Sequence, residues 1–194
     1  MPSTLIAPPA EIEAVPRKKW TRDECAQLGA ILDLRHYELI DGELIEKMSK
    51  NHPHIRAVTL LRQWLLSVFS GLNVGLEIPV DVRPEDNPSS EPEPDAVVVK
   101  QSVLDLLPRP KATDVLLLVE VSASTLSFDL GKKAALYARA AIPEYWVLDA
   151  IGRRLVVHRR PQDGKYQDII AYTEHESVAP LAAPGSAVVV ASLL

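Results

Sequence analysis

Two carboxylates and a pair of lysines stand in a strongly apolar part of this chain. Glu120 follows five aliphatic residues, Val115 to Val119, and precedes Val121, a pattern that reads as the end of a strand buried on both faces. A carboxylate without a partner there would cost several kcal/mol, so Glu120 needs a cation, a hydrogen-bonding partner or a place at the mouth of a cleft. Asp95 follows Pro94 and opens a second apolar run, Ala96 to Val99, which sets another carboxylate at a strand start. Lys132 and Lys133 fall in the first turns of the helix predicted after Glu120. Two strand carboxylates with a lysine nearby make a site for a divalent ion and a phosphate. Asp95 and Glu120 are therefore candidate metal ligands.

The elements that must position these residues run from Asp114 to Asp149. The strand VLLLVEVS leads into Ser122-Ala123-Ser124-Thr125, small hydroxyl residues that suit a turn and could also bond a phosphate oxygen. An acidic side chain favours a helix N-terminus, so a helix is expected from Asp129 to about Ala141. On it Lys133 and Tyr137 share a face, which points Lys133 back towards the strand end carrying Glu120. Pro143 stops this helix, and Glu144 to Asp149 reads as a strand with Tyr145, Val147 and Asp149 on one side and Trp146 and Leu148 on the other. Trp146 reads as core.

Upstream, Thr21 with Glu24 three residues on forms a candidate capping box, and Cys25, Leu28, Ile31 and Leu32 recur at helical spacing as packing residues. Tyr37 to Glu46 carries a two-residue Asp41-Gly42 between strand-like runs, a strong hairpin signal. A helix is predicted from about His52 to Ser70, with Ile55, Val58, Leu61, Leu65, Val68 and Phe69 on its apolar face. Val74 to Val82 contains Pro79 and reads as an edge or bulged strand. Arg83 to Glu93 is a polar, proline-rich loop that brings Glu91 and Glu93 just ahead of Asp95. Ser102 to Leu107 is a short helix candidate, closed by Pro108 and Pro110. Downstream, Leu155 to His158 and Tyr166 to Tyr172 flank Asp163-Gly164 as a second hairpin. Its Arg153, Arg154, Arg159 and Arg160 either face nucleic acid or protect an edge strand. Val178 to Leu194 reads as a short strand and a last turn.

At 194 residues and 47% hydrophobic, the chain can bury one substantial core, so residues 20–194 are expected to form one domain. Pro2, Pro8, Pro9 and Pro16 mark residues 1–19 as a mobile tail. A formal net charge of -5 is not the footprint of a protein that coats nucleic acid, so any such contact must be local. Cys25 is the single cysteine, which excludes an intramolecular disulfide. The opening residues lack the basic start and apolar run of a signal peptide, no run is long enough to span a bilayer, and a cytoplasmic location without membrane contact is expected.

The ordered pieces Pro94-Asp95, Glu120-Val121-Ser122, Asp129 through Lys133 to Tyr137, and Pro143-Glu144-Tyr145-Trp146 with Asp149 resemble the Uma-two family, restriction-endonuclease-like proteins of the PD-(D/E)XK nuclease superfamily. Tyr37 to Glu43 is similar to that family's opening hairpin. Together the pieces cover most of the chain from Tyr37 to His158. The resemblance implies an α/β fold with a restriction-endonuclease-like core, a central mixed sheet flanked by helices, and β-hairpins at both ends. It also implies metal-dependent endonucleolytic hydrolysis, expected on DNA, with Mg²⁺ or Mn²⁺ held by Asp95, Glu120 and the main-chain carbonyl of Val121. Lys133 would take the place of the lysine that the parent signature has two residues past the glutamate, where this chain has Ser122. The resemblance makes Glu43 a candidate extra carboxylate, with an exposed strand charge as the alternative reading. His54 matches a histidine at the start of the corresponding helix and is a candidate site residue, with a solvated histidine as its alternative. A homodimer is in keeping with the resemblance. The competing function is a catalytically inactive member of the fold that binds nucleic acid or a protein.

Overall fold

The computed structural model describes residues 17–47, 51–106 and 108–194; most of the expected tail, residues 1–16, lies outside them. At the centre is a six-stranded mixed sheet. Its strands are β3 (Val74–Gly75), β4 (Ala96–Val99), β5 (Val115–Ser122), β6 (Glu144–Asp149), β7 (Arg154–Gln162) and β8 (Lys165–Thr173), in that spatial order. Strands β5 and β6 are parallel, and the other neighbouring pairs are antiparallel. The parallel pair needs a crossover connection, which a helix over residues 126–139, α3, provides.

Alternating side chains send the aliphatic residues of β4 to β7 to two separate cores. On one face Val97, Leu118, Tyr145 and Val147 pack with Leu136, Tyr137 and Ala138 of α3. On the other, Val98, Val119, Trp146 and Leu148 pack with Ala57, Leu61 and Leu65 of α2 (His52–Val68) and with Val188, Val190 and Leu193 near the C-terminus. Trp146 stacks on Trp64 at 5.7 Å between ring centroids, as its expected core position requires. Burial on both faces explains the unbroken aliphatic run of β5.

Helix α3 departs from its expected start. It opens at Leu126–Phe128, widens into a π turn over Asp129–Lys133, and closes as Ala134–Arg139. Thr125 supplies the carbonyl that takes the Phe128 and Asp129 N–H groups, so Asp129 lies inside the helix. Its carboxylate is buried and accepts Thr125 Oγ1–H at 2.6 Å. The helix begins earlier because the Ser-Ala-Ser-Thr turn, and not the acid, terminates the strand.

Both hairpins form where Asp-Gly predicted them. The first joins β1 (Tyr37–Ile40) to β2 (Glu43–Glu46) through Asp41 and Gly42 at φ 48° and 77°, and the second joins β7 to β8 through Asp163 and Gly164 at 51° and 73°. Left-handed φ at both positions is the signature of a type I′ turn. Two other expectations change. Only Val74–Gly75 of the run Val74 to Val82 pairs as a strand, since Pro79 has no N–H to donate to a ladder. Helix α1 (Arg22–Gly29) has the expected capping box but buries none of its residues, and Ile31 and Leu32 beyond it are exposed. The helix is tied down by Arg22, which pairs with Asp81 at 2.7 Å and donates to the Ser90 carbonyl.

Candidate active site

The β4–β5 register brings the two strand carboxylates together. Ala96 pairs with Val119, which sets Asp95 opposite Glu120 on the face that also carries Val97 and Leu118. Asp95 is fixed from two sides: its Oδ2 accepts the Val121 N–H at 2.7 Å, and its Oδ1 lies 3.2 Å from His54 Nε2. His54 reaches it from the first turn of α2, whose start is capped by Asn51 Oδ1 on the His54 N–H. The remaining ring nitrogen of His54, Nδ1, is buried without a hydrogen-bond partner among the described residues.

Lys133 reaches the carboxylates. Its Nζ lies 2.9 Å from Glu120 Oε1 and 2.8 Å from Glu38 Oε1, all three groups being buried. Tyr137, one turn further along α3, donates its hydroxyl to the same Glu120 oxygen at 3.0 Å. Burial pushes Glu120 well above the usual carboxylate range, and Asp95, Asp129 and Glu38 push it the same way while Lys133 opposes them. Burial works against the Lys133 charge, but Glu120, Glu38 and Asp129 outweigh it and hold the ammonium protonated far beyond neutral pH. Burial likewise raises Asp129, against the pull of Lys133 and the Thr125 hydrogen bond. Tyr137 is raised by burial and by Glu120, so its phenol stays a donor.

The opening hairpin contributes an acid, though not the one singled out from the sequence. Ile40 pairs with Glu43 and Glu38 with Ile45, so both glutamates share the hairpin face turned towards α3. Consecutive lysines of α3 meet them: Lys132 takes Glu43 at 2.6 Å near the turn, and Lys133 takes Glu38 at the open end. Glu43 also pairs with Lys19, and the two lysines hold its carboxyl down at about 2. It does not line the cavity that Glu38, Asp95, Glu120, Val121, His54 and Lys133 share. Glu38 went unmarked because YELIDGELIE holds two glutamates on one face. The legible signal was its spacing of two from Ile40, which faces the core.

That cavity encloses about 660 Å³. Its described lining holds seven acidic side chains (Glu38, Glu46, Glu77, Glu93, Asp95, Glu120 and Asp129) against Arg35, Lys47 and Lys133. Lys47 is engaged with Glu93 at 2.8 Å. A divalent cation fits the chemistry of this donor set: hard carboxylate oxygens, an excess of negative charge, and a carboxylate, Glu120, that burial and the neighbouring acids raise in spite of its contact with Lys133. Among the described residues no group of three or more His, Cys, Asp or Glu side chains is assembled as a metal cage. Two carboxylates suit an ion such as Mg²⁺, which keeps several of its own waters.

Glu91 and Glu93 of the loop ahead of β4 and the arginines of the second hairpin are paired rather than free. Glu91 pairs with Arg109 and Glu93 with Lys47. Arg153 pairs with Glu174, Arg154 with Asp149, Arg159 with Glu144 and Arg160 with Asp168. Among the described residues no helix is long and apolar enough to cross a membrane.

The sequence profile of the Uma2 family, described as "Putative restriction endonuclease", matches residues 23–191. No curated protein matches the chain. Among solved structures, the fold is similar to a crystal structure described as a putative nuclease belonging to DUF820 from Anabaena variabilis. The two align with a TM-score of 0.65 at 17% identity, over 89% of this chain and 96% of that one.

Proposed function

We propose, since the chain belongs to the Uma2 family, that it is a metal-dependent endonuclease that hydrolyses phosphodiester bonds in DNA. The observation that carries this reading is the contact between Lys133 and Glu120 at 2.9 Å, with Asp95 opposite Glu120 in the neighbouring strand. Asp95 and Glu120, with the Val121 carbonyl, would hold Mg²⁺ or Mn²⁺. When bound, the ion would lower the pKa of a water and draw charge from the attacked phosphate.

The protein's own groups have separable tasks. Lys133, kept charged by the surrounding carboxylates, cannot serve as a base and acts as a fixed positive charge beside the phosphate oxygens. With Tyr137 it fixes the rotamer of Glu120 by bonding one carboxylate oxygen. The Val121 N–H and His54 fix Asp95 in the same way. Holding the groups in place beforehand removes reorganisation from the reaction step.

The test is cleavage of plasmid and single-stranded DNA with Mg²⁺ or Mn²⁺ by wild type, Asp95→Ala and Glu120→Ala, each first shown to be folded. Wild type should cut and both variants should lose activity by at least about a hundredfold. Equal cutting in all three would refute the site. A second reading, a non-catalytic protein that binds nucleic acid or a protein partner, draws on the net charge of -5 and the acidic stretch ahead of Asp95. Metal-dependent turnover by clean wild-type protein excludes it.

A further inference from the structure

Glu38 is a junction of three elements. Its own strand is β1; its Oε1 holds Lys133 of α3 at 2.8 Å; and its Oε2 accepts the Glu93 N–H at 3.3 Å, two residues ahead of Asp95. The side chain is 8% exposed, so competition from bulk water for these bonds is small. We propose that Glu38 is a positioning residue, which holds the Lys133 ammonium beside Glu120 and fixes the backbone that delivers Asp95 without itself holding the divalent cation. The inference rests on the nuclease reading of the same site.

The argument is one of anchoring. Lysine is a point charge on a flexible four-carbon stem. With Glu120 alone, Lys133 could pivot about one oxygen; a second buried carboxylate on its other side sets the ammonium between two anchors. Both Glu38 oxygens are engaged, one by the ammonium and one by a backbone N–H. Its third effect is mechanical, because the same carboxylate ties the hairpin to the loop before β4. Asp129 does not duplicate this arrangement, since its carboxylate is turned to Thr125.

The test compares full-length wild type with Glu38→Gln, which keeps the shape and removes the charge, and Glu38→Asp, which keeps the charge and withdraws it by one methylene. Acylation of individual lysines by acetic anhydride, read by mass spectrometry without added metal, reports on Lys133 directly. Lys133 should resist labelling in wild type and react about tenfold faster in Glu38→Gln, with an intermediate rate in Glu38→Asp and no change at the distant Lys165. Calorimetry should give Mn²⁺ affinity within about threefold of wild type in Glu38→Gln but abolished binding in Glu120→Gln. In cleavage assays kcat should fall about tenfold with KM unchanged. Unchanged Lys133 labelling in both Glu38 variants overturns the proposal, as does a loss of Mn²⁺ binding in Glu38→Gln equal to that in Glu120→Gln. If wild type does not cut DNA, the nuclease reading fails, while the labelling still decides whether Glu38 holds Lys133. Should Glu38→Gln not fold, Glu38→Asp decides the matter by the same measurement.

Discussion

At the scale of the residue, Glu120 carries a conflict between stability and its proposed task. Its carboxyl is raised above an ordinary value near 4.5, first by burial, so the folded state binds its proton more readily than the unfolded state does. Stability from this group is therefore fully present below about pH 4.5 and is lost as pH rises through the folded-state value. Glu120→Gln removes the buried charge, while Lys133 keeps Glu38 as a partner. The variant should be inactive yet melt a few degrees higher than wild type at pH 8, a gain of about 1 kcal/mol of the kind common where function strains a site. The gain should shrink as pH falls towards 5. Differential scanning calorimetry across that range checks it, and a lower Tm for the variant at pH 8 would contradict the argument. Glu120 was conspicuous in the sequence because a lone charge ends an aliphatic run. Glu38 was not, because its strand has only four residues and a second glutamate shares its face.

At the scale of the element, pattern and turn chemistry made β5, α2 and both hairpins legible, since each carries a local signal strong enough to stand without tertiary context. What escaped was set by long-range contacts. The start of α3 depended on which of Thr125 and Asp129 the strand end would use, and the π turn has no sequence signature beyond a permissive Gly131. The buried Glu144 at the start of β6 shows how such contacts shape an element. Its carboxylate accepts from Trp146 Nε1 at 2.9 Å, pairs with Arg159 of β7 at 2.6 Å, and takes the Leu181 N–H at 2.7 Å. It thus joins two strands to the C-terminal segment. Glu144→Ala would leave Arg159 without its carboxylate, the buried Trp146 Nε1–H without an acceptor and the half-buried bond from the Leu181 N–H unmade, and should cost about 3–5 kcal/mol in urea unfolding. A loss below about 1 kcal/mol would show that water or a rearranged Arg159 replaces the network.

At the scale of the whole molecule, titrations of opposite sign shape stability against pH. His158 is buried between Tyr145 and Tyr166, and burial lowers it from an ordinary value of 6.5, although hydrogen bonding to the backbone opposes the shift. The unfolded chain therefore takes up this proton first. The stability His158 contributes is present above about pH 6.5 and is lost as pH falls through its folded-state value, while Glu120 gains over the acid range. The proposed divalent cation would add a third linkage, because an ion that binds only the folded state stabilises it by about 2.7 kcal/mol at a hundred times its Kd. Mn²⁺ should therefore raise the Tm of wild type by several degrees at pH 7.5. The rise should disappear in Asp95→Ala and diminish towards pH 5, where protons compete for the carboxylates. Glu43→Gln should keep the full rise, because Glu43 is held by Lys19 and Lys132 outside the cavity. A Tm that ignores Mn²⁺ at pH 7.5 in wild type would remove the cation from the mechanism, whereas a rise that persists in Asp95→Ala and vanishes in Glu43→Gln would move its binding to the outer end of the hairpin.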